Sequence, residues 1–426
     1  MKNKLMGGGT NHLSLSSNYK EITNCRFCGS RNLIAVLSLG QQYLTGVFPK
    51  SPTQIVSKGP LDLMWCSECC LLQMKQSYNL DEMYGVNYGY RSGLNISMVQ
   101  HLTRKINTLE KFINLQENDL VIDIGSNDAT SLKAYRTKCQ KVGIDPTGIK
   151  FKEFYSNDIV LISDFFTADK FMSHFKKQKA KIITSIAMFY DLERPIDFIK
   201  DISRCLDDDG IWHFEQSYMP SMLRTNSYDT ICHEHLEFYS FEVVKNMLES
   251  QGLSIVDVSL NAVNGGSFAI TAAKRGSKYK ENLPIINWML DQEKNMLLNT
   301  TKPYRDFEER VFLHRQNLKK LILELKKDGK KVFGYGASTK GNVLLQFCGL
   351  GIEEIPFIAD VNPDKFGSFT PGTNIPIISE QEAKSMQPDY FLVLPWHFKN
   401  NILEREQDWI QNGGKFIFPL PEIEIM

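Results

Sequence analysis

Net charge is what this sequence most plainly lacks. Its 49 lysines and arginines are matched by 49 aspartates and glutamates over 426 residues, so no nucleic acid or anionic membrane is expected as a partner. Long apolar runs are missing too: none approaches the roughly 20 residues a membrane-spanning helix needs. The opening MKNKLMGGGTNHLSLSSNYK has no apolar core of a secretion signal, and a cytoplasmic setting is the expectation. Histidine is scarce, eight in all, which makes any close pair informative. Low complexity and short repeats are absent beyond the Gly/Ser/Asn-rich start.

What is present is an ordinary globular composition, 42% hydrophobic and 23% charged, in a chain long enough for two or three cores. Residues 1–20 read as a disordered tail and 21–75 as a cysteine-bearing module with short strand-like runs. Over 76–275, helical segments alternate with apolar runs such as DLVIDIG, KVGID and KIITSIAMFY, the pattern of a parallel sheet wrapped by helices. Residues 276–328 read as bridging helices, ending in a lysine-rich turn and Gly329. A second α/β unit, 329–426, opens with KVFGYGASTKGN.

The nine cysteines do not suggest a disulfide framework. Cys25-x-x-Cys28 and Cys66-x-x-Cys69 are two knuckles that together complete a tetrahedral Zn²⁺ shell, with Cys70 as a possible substitute ligand. Four protein ligands leave no open position, so this zinc is structural.

In DLVIDIGSNDATSL a strand runs into a small-residue turn, Asp123, Gly125, Ser126 and Asn127, and then a helix. A second strand ends about twenty residues on in Asp145, where such folds place an acid for ribose hydroxyls. No second or third glycine follows Gly125, so the turn offers no extra N–H groups for a pyrophosphate. It suits S-adenosylmethionine, which has no phosphate. Asp164 could reach the adenine amine, with Phe165 against the ring.

The stretch YDTICHEHLEFYS, 228–240, brackets Glu234 between His233 and His235. Its residues alone leave three readings open: a metal site, a base with an orienting acid, or a solvated loop. Glu215, closing GIWHFEQS, reads as a substrate contact or a helix-cap partner. Tyr228 and Tyr239 read as packing. In VFGYGASTKGN, backbone N–H groups, Ser338 and Lys340 gather at a helix start, a fitting place for an anion; a nicotinamide dinucleotide is the competing occupant.

Taken together, the double Cys-x-x-Cys module, the IDIGSNDA turn, the YDTICHEHLEFYS loop and the GYGASTKGN…DVNPDKFG…TPGTNIPI unit closely resemble the S-adenosylmethionine-dependent C-methyltransferases of nucleotide-sugar biosynthesis, over nearly the whole chain. The resemblance implies a Rossmann-like class I methyltransferase domain, a small N-terminal zinc-binding module and a second, C-terminal Rossmann-like α/β domain. It implies methylation of a carbon beside the ketone of a nucleotide-linked 4-keto deoxysugar, at C3, with S-adenosylmethionine and zinc as cofactors and a monomer or dimer as the assembly. Carbon methylation needs a base, a group to steady the enolate oxygen and an aligned sulfonium. The family's base falls on His235, with Glu234 beside it, and its active-site tyrosine on Tyr90, or second on Tyr88. His233 stands beside them at the sugar pocket. Three positions depart from the family: Cys232 replaces a tyrosine, Met188 or Phe189 stands where a histidine is usual, and Asn264 replaces a histidine in a His-Gly-Gly-Ser-like turn. The resemblance implies that this last unit holds the sugar nucleotide's diphosphate or nucleoside portion, with Ser338 and Lys340 as the residues for it. Sugar O-methylation and nicotinamide-dependent sugar oxidation are the alternatives.

Overall fold

The computed structural model describes residues 19–79, 83 and 90–426; Tyr88 and residues 1–18 lie outside them. Each cysteine knuckle is a tight turn closed by a backbone bond, Gly29 N to Cys25 O and Cys70 N to Cys66 O. Each turn ends in a left-handed residue, Gly29 at φ 72° and Cys70 at φ 63°, a conformation glycine adopts freely and other residues rarely do. The second knuckle joins two antiparallel strands, Lys58–Cys66 and Leu72–Met74, and Leu33–Tyr43 flanks the first of these. The fourth strand of this sheet comes from far along the chain: Glu237–Phe238 pairs with Leu72 and Gln73.

The central sheet has seven strands. In order of appearance they are Leu120–Ile124, Gln140–Ile144, Ile159–Ile162, Ala180–Ile186, Leu206–Ser217, Leu253–Asn261 and Ser267–Lys274, arranged across the sheet as 3-2-1-4-5-7-6. The first five are parallel, while Ser267–Lys274 runs antiparallel to both neighbours. Leu120–Ile124 is buried at every position, as a parallel strand covered on both faces should be. The order reverses beside this strand, and ligands of doubly wound sheets bind in the crevice at such a switch point. This is the class I methyltransferase arrangement.

The helix Lys302–Lys327 buries Tyr304, Phe307, Val311, His314, Leu318 and Ile322, a spacing of three and four that forms one stripe. That stripe packs into the same core as Leu61 and Trp65 of the cysteine module and Val343 and Phe347 of the C-terminal unit. His314 sits on the apolar stripe because both its nitrogens are bonded, Nδ1 to the Tyr228 hydroxyl at 2.9 Å and Nε2 to the Pro419 carbonyl at 2.5 Å. The C-terminal sheet runs Ile377–Ser379, Ile358–Asp360, Val332–Tyr335, Tyr390–Val393, Lys415–Phe418 and Glu424–Ile425, parallel except for the last strand. Among the described residues no helix is long and apolar enough to cross a membrane.

Candidate active site

The four knuckle sulfurs lie within 4.8 Å of one another, with Cys25 to Cys69 and Cys28 to Cys66 each at 3.5 Å. A tetrahedral zinc with bonds of about 2.3 Å places its sulfurs about 3.8 Å apart, so the donor set fits that metal. Cys70 does not join the cluster; it closes the second knuckle instead. Inside the first knuckle, Arg26 binds Gln76 O and Ser77 Oγ and lies 3.7 Å from the Glu237 carboxylate, both side chains buried. Burial drives the Glu237 carboxyl well above its usual range, the Arg26 charge opposing this. The zinc module is thereby tied to the histidine loop itself.

A cavity of about 500 Å³ opens at the switch point. Gly125, at φ 73°, begins the turn that forms its floor, and Asn127 and Ala129 are left-handed as well. Asp145 holds this turn, accepting from Asn127 N at 2.8 Å and from Thr147 N at 2.6 Å. Ser126 bonds the Tyr155 hydroxyl at 2.7 Å. Asp123 accepts from Thr184 Oγ1 at 2.6 Å; its burial lifts the carboxyl to about 7, against that bond and with help from the Asp145 charge. Asp123, Gly125, Ser126, Asn127, Asp145 and Phe165 all line the cavity. Asp164 does not. Its carboxylate is half exposed and paired with Lys170 at 2.6 Å, beside the cavity-lining Phe165. Tyr90 stands at the cavity rim, half exposed, and its carbonyl accepts from the Asn127 side chain.

The histidine loop is fixed from three sides. Tyr228 binds His314 on the bridging helix, Leu236 N donates to Tyr190 O in the methyltransferase domain and Leu236 O accepts from Met74 N of the zinc module. Tyr228 and Tyr239 are fully buried packing residues. His235 lines the cavity, its ring edge-on to Tyr190 at 4.3 Å. Its Nδ1–H donates to the Thr230 carbonyl at 2.7 Å, which selects the tautomer with a free lone pair on Nε2. Burial brings the imidazole down to about 4, the Lys340 ammonium acting in the same direction and the Thr230 bond against it, so it is neutral at physiological pH. Glu234 is half-buried in the cavity wall, with its buried Oε2 lacking a hydrogen-bond partner among the described residues; loss of water around it raises its carboxyl above the ordinary range. Gly46 of the zinc module lies against Glu234 Oε1, so a side chain there would push the carboxylate aside.

His233 is placed elsewhere. It is buried against the edge of Tyr78 at 4.6 Å, near Thr45 at 3.4 Å, and does not line the cavity. Its expected substrate contact is therefore corrected: in this loop the alternate histidine faces the zinc module. The two histidines also form no metal cluster among the described residues. Glu215 lines the cavity but its oxygens are taken: His101 at 2.6 Å, Lys105 at 2.8 Å and Asn261 at 2.7 Å. Burial would raise its carboxyl, yet His101 and Lys105 hold it down to about 2. It ties the helix Ile96–Ile113 to the sheet edge and caps no helix. Of the two candidate positions for the family's histidine, Met188 lines the cavity while Phe189 is core, stacked on Tyr239 at 5.1 Å.

Cys232, Asn264 and Lys340 complete the wall. Asn264 is left-handed, φ 55°, and its carbonyl accepts from Lys340 Nζ at 2.8 Å. Ser338 caps the helix Thr339–Cys348, accepting from Gly341 N at 3.0 Å. Gly336, φ 81°, would put a side chain 2.6 Å from Pro395, and Asp360 already accepts from Ala337 N and Asn362 N, both at 2.7 Å. Thr339 and Tyr190 line the cavity without having been singled out in the sequence; Thr339 stands beside the glycine turn, but nothing local marks Tyr190.

Residues 262–421 match the C-methyltransferase C-terminal domain model, residues 98–258 a methyltransferase domain and residues 25–84 a zinc binding domain. The C-methyltransferase NovU of Streptomyces niveus is 31% identical over 411 residues, spanning 96% of this chain and 97% of that protein. Among solved structures, an S-adenosylmethionine-dependent methyltransferase from Clostridium acetobutylicum is 12% identical with a TM-score of 0.34, covering 42% of this chain and 92% of its own.

Proposed function

The chain belongs to the S-adenosylmethionine-dependent C-methyltransferase family, and from that premise we propose that its acceptor is a nucleotide-linked 4-keto deoxysugar, methylated beside the ketone at C3. Family membership sets aside the O-methylating and nicotinamide-dependent alternatives. The observation that carries the proposal is His235: a neutral imidazole with Nδ1 pinned by a carbonyl and Nε2 unprotonated, on the wall of the cavity that also holds the cofactor turn. Such a group takes a proton from carbon.

S-adenosylmethionine supplies an electrophilic methyl group. Asp145, Gly125 and Asn127 place its adenosyl part, and Phe165 offers an apolar face. His235 removes the proton beside the ketone, and Thr230 keeps the ring from turning. Gly46 and Glu234 bring the zinc module to the acceptor side. Burial of His235 lowers its basicity, but it keeps the base unprotonated across the working range. A cytoplasmic setting and a monomer or dimer accord with this role.

The test uses a panel of nucleotide-linked 4-keto-6-deoxysugars in deuterated water, with mass spectrometry, with and without S-adenosylmethionine. Deuterium uptake without cofactor and one added methyl with it are expected, and His235→Ala should lower both by about 100- to 10,000-fold. If S-adenosylmethionine binds but no panel member exchanges a proton or gains a methyl, the sugar assignment fails.

A further inference from the structure

The reading above leaves one chemical requirement without a residue. Proton abstraction beside a ketone puts negative charge on the ketone oxygen, and a preorganised donor at that oxygen is usually the largest single contribution to the rate. The positions that would supply it are poor donors here. Cys232 is a buried thiol, a weak donor, and Met188 has none.

Lys340 is the strong donor beside them. It reaches the cavity from the first turn of Thr339–Cys348, a ten-residue helix whose N-terminus adds positive potential. Its Nζ gives one hydrogen bond, to the Asn264 carbonyl at 2.8 Å, and an ammonium has three donors. The groups around it come from every neighbouring element. Asp229 is buried, with Oδ2 accepting from Trp396 Nε1 at 2.8 Å and Oδ1 without a hydrogen-bond partner among the described residues. Cys232 and His235 stand on the histidine loop, and His397 lies on the C-terminal unit. Burial lowers the Lys340 ammonium from its usual range, while the Asp229 charge opposes that loss. His235 and Lys340 line the same cavity, and the ammonium acts on the imidazole against protonation. Ser338, by contrast, is occupied as the helix cap.

We propose that Lys340 is a catalytic residue, its ammonium holding the ketone oxygen of the acceptor as that oxygen becomes an enolate. This rests on the keto-sugar reading and moves Lys340 from the diphosphate to the reacting centre. His235 Nε2 takes the proton from carbon. The C–H electron pair becomes the new C=C bond, and the carbonyl π pair moves to the oxygen facing Lys340. The enolate carbon then bonds the methyl carbon as the S–CH₃ pair returns to sulfur, the carbonyl re-forms, and His235 passes its proton to water. Asp229 opposes the loss of the lysine's charge and Asn264 aims it.

Deuterium exchange without cofactor isolates the first of these steps. With saturating thymidine-diphosphate 4-keto-6-deoxyhexose as the probe, Lys340→Met should exchange about 100- to 1,000-fold more slowly than wild type. Its dissociation constant for thymidine diphosphate should stay within about threefold. Lys340→Arg, which keeps the charge and guards against a folding failure of the first variant, should lose exchange to a smaller degree with the same unchanged affinity. Exchange near the wild-type rate at saturation, with thymidine diphosphate bound tenfold or more weakly, would overturn the proposal and return Lys340 to the diphosphate. An equal loss in both quantities counts against it as well. If wild type binds S-adenosylmethionine yet exchanges no proton, the keto-sugar reading itself is wrong and this inference falls with it.

Discussion

The chain builds the same strand–turn–helix twice, and the two copies have diverged in what they hold. Gly125 and Gly336 are both left-handed, and each donates its N–H to the residue before an acid, Ile144 and Ala359. Those acids, Asp145 and Asp360, accept from the turn and from a residue two further on. From there the units part. The first turn is wide, with three left-handed residues, and leads only to the short helix Thr130–Lys133. The second is tight, closes on Pro395 and starts a ten-residue helix capped by Ser338. Asp123 in the first unit answers to Gly334 in the second, where Ile358 fills the space. A glycine turn with a strand-end acid is thus a backbone solution before it is a binding site. Whether it binds depends on what packs over the glycine.

The strongest way to break the contrast is to remove what both units lean on. Structural zinc contributes on the order of 10 kcal/mol, comparable to the whole stability of a domain. Cys66→Ala should therefore release the metal, unfold the module and disorder the histidine loop through Glu237–Phe238, read as loss of bound zinc and of cooperative melting. Retention of a stoichiometric metal would show that the four cysteines are not its ligands. A sharper test changes the paired acids alone. Asp145→Asn and Asp360→Asn lose the same kinds of backbone bond, so their stability costs should be similar. Affinity for S-adenosylhomocysteine should fall about 10- to 100-fold in the first and stay within twofold in the second. Equal losses would mean that both turns serve the cofactor.

The smallest effect concerns Asp123, which has no acidic counterpart in the second unit. Its folded value, about 7, lies above the ordinary 3.8, so the folded protein holds that proton more tightly than the unfolded chain. The cost is absent at pH below about 4, grows as pH rises towards 7, and is complete above it. Asp123→Asn should then stabilise progressively between those limits, by a few kcal/mol at most, measured as melting temperature against pH. A gain that does not depend on pH would remove Asp123 as its source.

Much of this could be read along the chain. The cysteine pairs, both glycine turns and the strand-end place of Asp145 rest on residues close in sequence, where spacing fixes what shares a turn or a strand end. Orientation could not be read in this way. His233 and His235 look alike in sequence, but a two-residue step in an irregular loop carries no fixed face, and only Thr45, Tyr78 and Thr230 decide which histidine meets the cavity. Asp164 follows its strand as an adenine-binding acid would, yet a nearby Lys170 draws it to the surface. Glu215 sits at the correct strand end, but His101 and Lys105, one helical turn apart, saturate it.

The sequence by itself determined the local chemistry: which residues can ligate zinc, which turn can admit a cofactor without phosphate, and which histidine follows the family's pattern. Those are properties of bonds made within a few residues. The tertiary structure decided the composition of the site. It set Glu234 and His235 of the loop and Thr339 and Lys340 of the C-terminal unit around one cavity, with Gly46 of the zinc module against Glu234, because a shared core joins the module, the bridging helix and the last sheet. It also set which charges lose their water, and so which groups are neutral there. Burial is a property of the packed whole, and no stretch of sequence carries it alone.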